Sequence, residues 1–143
     1  MTKTTKPVKR TSKTVLGKIK KWNEDRGLLN TFNLNNEISF IIEECIEAMK
    51  DIDSKTARKM ALNQVKLLNS IKGNNTTPVQ MVDAFADMIV FATGAIYKLG
   101  YDADKVMKEV QKELDDRTGN MIDGKFIKDK KDSRYIADFS KCV

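Results

Sequence analysis

Histidine is missing altogether from this chain of 143 residues. Its absence excludes His-based nucleophilic triads, a histidine general base and the usual zinc sites. Any hydrolysis must then rest on carboxylates, lysines, hydroxyls or a metal ion held by oxygen. Two cysteines, Cys45 inside an apolar helical pattern and Cys142 next to last, are too few for a disulfide framework, and a reducing cytoplasm is expected. No stretch of 18 or more apolar residues is free of charge, so no membrane span is expected. The first residues have no apolar core of a secretory signal. No internal repeat occurs. The length suggests one domain. With 41% hydrophobic and 32% charged residues, the chain fits a small helical domain with solvated outer faces, or one that completes its core by oligomerising.

The net charge of +6 is unevenly placed. Residues 1–21 hold eight bases and no acid, which leaves 18 bases against 20 acids in the rest. Residues 1–12, polar, rich in Lys and Thr and carrying Pro7, read as a disordered arm. Such an arm either solubilises the protein or binds nucleic acid or another acidic partner through phosphate contacts.

The remainder, 13–143, reads as a single all-α domain, a bundle of four or five helices. A first helix is expected from about 13 to 26, closed near Gly27. A second runs from about 37 to 51 behind Asn36, with Ile38, Ile41, Ile42, Cys45 and Met49 in one apolar stripe. A third runs from about 55 to 71 behind Ser54, with Ala57, Met60, Ala61, Val65, Leu68 and Ile71 in its stripe. Gly73-Asn74-Asn75-Thr76 is a loop. Thr77 caps the fourth, Pro78 opens it and Gly100 follows its end. Asp102 caps a fifth over 103–116, with Gly119 just beyond. Residues 120–143 are loop-like, with room for one hairpin turned at Asp123-Gly124.

The chemistry gathers on two helices. Between Val79 and Leu99 the only charged residues are Asp83, Asp87 and Lys98. A helix apolar on nearly every side is expected to be buried, and the aspartates, four residues apart, share one face and repel each other. Buried carboxylates need compensation from Lys, Arg or a cation. Gly94 lies on the same stripe and leaves room for a close neighbour. On the second helix Glu43, Glu44 and Glu47 converge opposite the apolar stripe. Alone, that patch reads as a solvated face; together with Asp83 and Asp87 it offers four or more hard oxygen ligands, which suit Mg²⁺ or Mn²⁺ rather than zinc.

Glu43-Glu44-x-x-Glu47, followed about 35 residues on by an aspartate pair on an apolar helix, resembles the MazG-like all-α nucleoside triphosphate pyrophosphohydrolases, a superfamily that includes dimeric dUTPases and phosphoribosyl-ATP pyrophosphatase. Other segments resemble its short phage-type members: Lys21-Trp22-Asn23-Glu24-Asp25-Arg26-Gly27-Leu28-Leu29, Val82 to Val90, Arg117-Thr118-Gly119, Gly124 to Asp129, and Tyr135 to Cys142. The likeness covers roughly 20–142. Where many members carry Glu-x-x-Asp on the fourth helix this chain has Asp83-x-x-x-Asp87, with Ala84 at the place of the first acid.

The resemblance implies Mg²⁺-dependent hydrolysis of a nucleoside triphosphate to monophosphate and pyrophosphate, by a metal-activated water attacking the α-phosphorus. It implies Glu44, Glu47, Asp83 and Asp87 as ligands and Glu43 as a further ligand or the general base. Lys112, Arg117, Lys125 and Lys128 are then candidates to hold the β- and γ-phosphates. Trp22 either stacks on a base or packs the first helix, and Arg26 beside it is a further substrate candidate. A homo-oligomer, dimer or tetramer, is implied. The rival expectation is a non-catalytic helical module that docks on nucleic acid through its basic arm.

Overall fold

The computed structural model describes residues 13–123, 125–129 and 135–143. The arm expected over 1–12, and Gly124 of the expected turn, lie outside the described residues. What is described is mostly helical, with a small two-stranded sheet near the C-terminus.

Five helices and two strands follow in order: α1 (Val15–Asp25), α2 (Leu34–Met49), α3 (Ser54–Asn69), α4 (Pro78–Lys98), α5 (Ala103–Asp116), β1 (Gly119–Ile122) and β2 (Lys125–Lys128). Side-chain caps set the starts, because the first amides of a helix have no carbonyl partner within it. Thr14 Oγ1 accepts from Gly17 N at 3.1 Å, and Asp102 Oδ1 from Lys105 N at 3.0 Å. Thr77 and Gln80 cap each other: Gln80 N donates to Thr77 Oγ1 at 3.3 Å and Thr77 N to Gln80 Oε1 at 2.8 Å. Two expected starts shift. Asn33, not Asn36, caps α2, accepting from Asn36 N at 3.2 Å, and Asp53, not Ser54, caps α3, accepting from Thr56 N at 2.9 Å. Gly27 and Gly100, both left-handed with φ of 68° and 88°, close α1 and α4.

The chain divides into two compact units, Asn30–Met81, and Val82–Val143 together with the chain up to Leu29. In the first, α2 packs on α3 through small residues: Ala57, Ala61 and Val65, spaced four apart, are buried, and facing them on α2 the buried residues are Ser39 and Glu43. The apolar stripe expected to pack α2 is not this face. Ile38, Ile41 and Ile42 are half-buried, while Cys45 and Met49 are exposed.

In the second unit α1 packs on α5. The strands form an antiparallel hairpin in the register Gly119↔Lys128 and Ile122↔Lys125, leading into its turn through Asp123 at φ 50°. Residues 135–143 dock on α5. Asp102 N donates to the Cys142 carbonyl at 2.6 Å, Tyr135 N to Asp116 Oδ2 at 2.6 Å and Ala137 N to Glu113 Oε2 at 2.9 Å.

The expectation of a buried fourth helix is not met. No residue of α4 is buried, and within its unit α4 packs on none of α1, α5, β1 or β2. Val79, Phe91 and Leu99 are 79%, 74% and 75% exposed. The sequence pattern describes a helix built to be covered, and among the described residues of its own unit no other helix or strand packs on it. By length and composition alone, α4 also qualifies to cross a membrane, although its two aspartates would be costly in hydrocarbon.

Candidate active site

The expected acids fall in both units. Asp83 and Asp87 are exposed on α4, and neither has a hydrogen bond or an ion pair among the described residues. Their expected apolar enclosure is therefore not supplied by the described residues of their own unit. The Cβ position of Gly94 meets open space.

On α2 the three glutamates separate. Glu44 is exposed and Glu47 half-buried, but Glu43 is buried, 7% exposed, on the side that meets α3. Arg58 of α3 faces it, with Nη1 donating to Glu43 Oε2 at 3.2 Å and to Ser39 Oγ at 2.7 Å. The patch expected opposite the packed face of α2 is thus divided between that face and solvent. Among the described residues, no group of three or more Cys, Asp or Glu stands close enough together to hold a metal ion.

The substrate candidates are distributed over α1, α5 and the hairpin. Trp22 and Arg26 of α1 form one cluster with Phe126 of β2. The Arg26 guanidinium lies 4.1 Å from the centre of the Trp22 ring, and Trp22 meets Phe126 edge to face with ring centres 5.5 Å apart. Trp22 Nε1 donates to the Leu114 carbonyl at 2.8 Å, and Arg26 Nη2 to the Arg117 carbonyl at 2.9 Å. Both side chains therefore fasten α1 to the end of α5. An open cleft of about 370 Å³ adjoins them, lined among others by Lys18, Lys21, Gln111 and Asp115. Gln111 Nε2 donates to Asp115 Oδ1 at 2.8 Å, while the buried Oε1 of Gln111 and Nε of Arg117 have no partner among the described residues.

Arg117 pairs with Glu113 at 3.0 Å. Lys112 is exposed and pairs with Glu109, and that contact raises its pKa. Lys125 is half-buried and Lys128 exposed on β2. Glu113 is held below the ordinary carboxylate range, first by the Ala137 amide and then by Arg117. Glu109 is lowered by its bonds from Lys112 and the Tyr135 hydroxyl.

Sequence reasoning did not single out Arg58, Glu109, Glu113 or Phe126. The Glu113–Arg117 pair was accessible from its four-residue spacing. Arg58 left one trace, its place beside the stripe residue Ala57. Glu109 and Phe126 acquire their roles only when the tail and the hairpin fold back.

Compared with known protein families, curated proteins and solved structures, the chain matches none.

Proposed function

We propose that the protein is a Mg²⁺-dependent nucleoside triphosphate pyrophosphohydrolase of MazG-like type, acting as a homo-oligomer. The observation that carries this reading is α4, a long apolar helix presenting two aspartates that pair with none of the described residues, in a chain whose second helix bears Glu43-Glu44-x-x-Glu47. An apolar helix that its own unit leaves bare is expected to be covered in the working assembly. Enclosure would then make two neighbouring carboxylates costly unless a cation joins them. The chain has no histidine, so a hard cation with oxygen ligands is the compatible choice.

In this reading Glu44, Glu47, Asp83 and Asp87 hold Mg²⁺, with Mn²⁺ as a substitute. The metal supplies charge neutralisation at the phosphates and a water of lowered pKa. Cationic side chains near the end of α5 and on β2, Arg117, Lys125 and Lys128, are the candidates for the β- and γ-phosphates, together with Lys112. Trp22 and Arg26 border a cleft beside them that suits the remainder of a nucleotide.

The test is pyrophosphate release from a panel of deoxynucleoside and ribonucleoside triphosphates with Mg²⁺. Turnover of at least one nucleotide, abolished in Glu47→Ala and Asp87→Ala, is expected. Binding of DNA or RNA that weakens with salt and is lost on deleting residues 1–12, with no turnover, would replace this reading by the nucleic-acid module.

A further inference from the structure

Glu43 is the one acid of α2 that is buried, and Arg58 of α3 pairs with it at 3.2 Å. Besides donating to Glu43 Oε2 and Ser39 Oγ, the Arg58 guanidinium lies 4.7 Å from the centre of the Phe40 ring. Ser39 is itself fully buried and donates its hydroxyl to the Asn36 carbonyl at 2.7 Å. Ala57 and Ala61 next to Arg58 are fully buried, and their lack of bulk lets the two helices come close. A charge enclosed in this way is stabilised by the counter-charge beside it, and removing either member takes that stabilisation from the other.

We infer that Arg58 is a positioning residue: it binds Glu43 into the inner face of the α2–α3 hairpin and so fixes the rotation of α2 about its own axis. Successive helical residues are 100° apart. Fixing Glu43 therefore fixes the directions of Glu44, 100° further round, and of Glu47, about 40° away. A guanidinium bonded to Oε2 also competes with any metal ion for that carboxylate. Glu43 is thereby assigned to the hairpin, and contact with the cation falls to Glu44 and Glu47. The part of this inference that concerns the cation rests on the function proposed above; the clamp itself does not.

The experiment uses the full chain and the variants Glu43→Gln, Arg58→Met, Arg58→Lys and Glu47→Gln. Melting temperatures are measured in EDTA, Mn²⁺ affinity from the electron paramagnetic resonance of the free ion, and pH–rate profiles from pyrophosphate release. In EDTA, Glu43→Gln and Arg58→Met are each expected to lower the melting temperature by several degrees, and the double variant by less than their sum. Glu47→Gln is expected to melt like the unaltered chain. Arg58→Met, although Arg58 meets no cation, is expected to weaken Mn²⁺ binding by about tenfold, the effect of losing a group that orients a ligand. Arg58→Lys, which keeps the charge, is expected to bind Mn²⁺ less tightly than the unaltered chain by less than about tenfold, a comparison that stands even if the Met variant does not fold. Glu43→Gln keeps the acidic limb of the pH–rate profile.

Normal melting of Glu43→Gln in EDTA, together with loss of that limb, would overturn the inference and make Glu43 a reacting group. If the unaltered chain neither binds Mn²⁺ nor releases pyrophosphate, the proposed function fails. The melting data then decide the clamp alone: a less-than-additive double variant upholds it, and additive losses overturn it.

Discussion

At Glu113 two structural demands meet in one carboxylate. It accepts the Ala137 amide of the docked tail through Oε2 and the Arg117 guanidinium through Oε1. Arg117 in turn offers its carbonyl to Arg26, which covers the Trp22 ring, so a continuous series of contacts links the tail to the aromatic cluster. The same logic holds one turn earlier, where Glu109 accepts from the Tyr135 hydroxyl and from Asp138 N. Because the folded protein lowers the pKa of both glutamates, their contribution to tail docking is complete above the ordinary carboxylate value of 4.5 and is lost as pH falls through the lowered values. The protection factor of the Ala137 amide against hydrogen exchange is therefore expected to be flat from pH 7 to about 5 and to fall below that. Glu113→Gln keeps an acceptor but loses its charge, and is expected to weaken docking by about 1–2 kcal/mol and to flatten the pH dependence. Unchanged protection in that variant would show that the tail is held by its other contacts.

Among the elements, α5 and the opening of α4 were legible because Asp102 stands just before the helical run of α5, and Pro78, suited to the first helical position, singles out Thr77 over Thr76 as the cap of α4. The start of α2 was misplaced because Asn33 and Asn36 are both good caps three residues apart; Asn33 prevails because its side chain accepts from the Asn36 amide. Asp53 and Ser54 present the same ambiguity at α3, and there the carboxylate also binds the Thr56 hydroxyl at 2.7 Å. The inner face of α2 was not legible. Periodicity assigned burial to its isoleucines, but α3 turns alanines and Arg58 toward it, and only the pairing of the two helices determines that a serine and a glutamate are enclosed. For the candidate site, the residue types and their helical spacing could be read directly, whereas their exposure could not, because exposure depends on what covers each helix. The hairpin shows the same division. Asp123-Gly124 announced a turn, but the reason for Gly119 lies across the sheet: a Cβ there would stand 2.0 Å from the Ile127 carbonyl oxygen. Backbone cannot yield as a flexible side chain does, so Gly119→Ala is expected to open the β1–β2 ladder. Loss of amide protection at Asp129, whose N–H donates to the Thr118 carbonyl at 2.8 Å, would report it. A hairpin that keeps its protection in the variant would refute the steric argument.

For the whole molecule the deciding fact is how little apolar surface the described residues bury. Among the described residues, the buried apolar set is Ala57, Ala61, Val65, Ala103 and Cys142, all small or medium-sized. A chain of 143 residues ordinarily buries well over half of its unfolded surface, because ordering each residue costs about 1–2 kcal/mol of backbone entropy that burial must offset. The exposed apolar residues of α4 are the largest reserve of such burial, and association of copies through them is the expected remedy. Sedimentation should then find an oligomer at micromolar concentration, and Phe91→Glu, which sets a charge on that face, should dissociate it. A monomer in the unaltered chain would sink this expectation. Metal adds a second, separable signature. Once α4 is covered, Asp83 and Asp87 repel across one helical turn, and a cation between them binds only the folded state. Mg²⁺ at about a hundred times its dissociation constant should contribute about 2.7 kcal/mol, raising the melting temperature by roughly 5–10 °C. Asp87→Asn removes the repulsion and a ligand together. It should therefore melt at the same temperature as the unaltered chain or higher in EDTA, and respond little to Mg²⁺. A marked loss of stability in EDTA would instead mean that Asp87 has a cationic side chain as its partner in the assembly, since cutting one member of an enclosed ion pair leaves the other charge stranded.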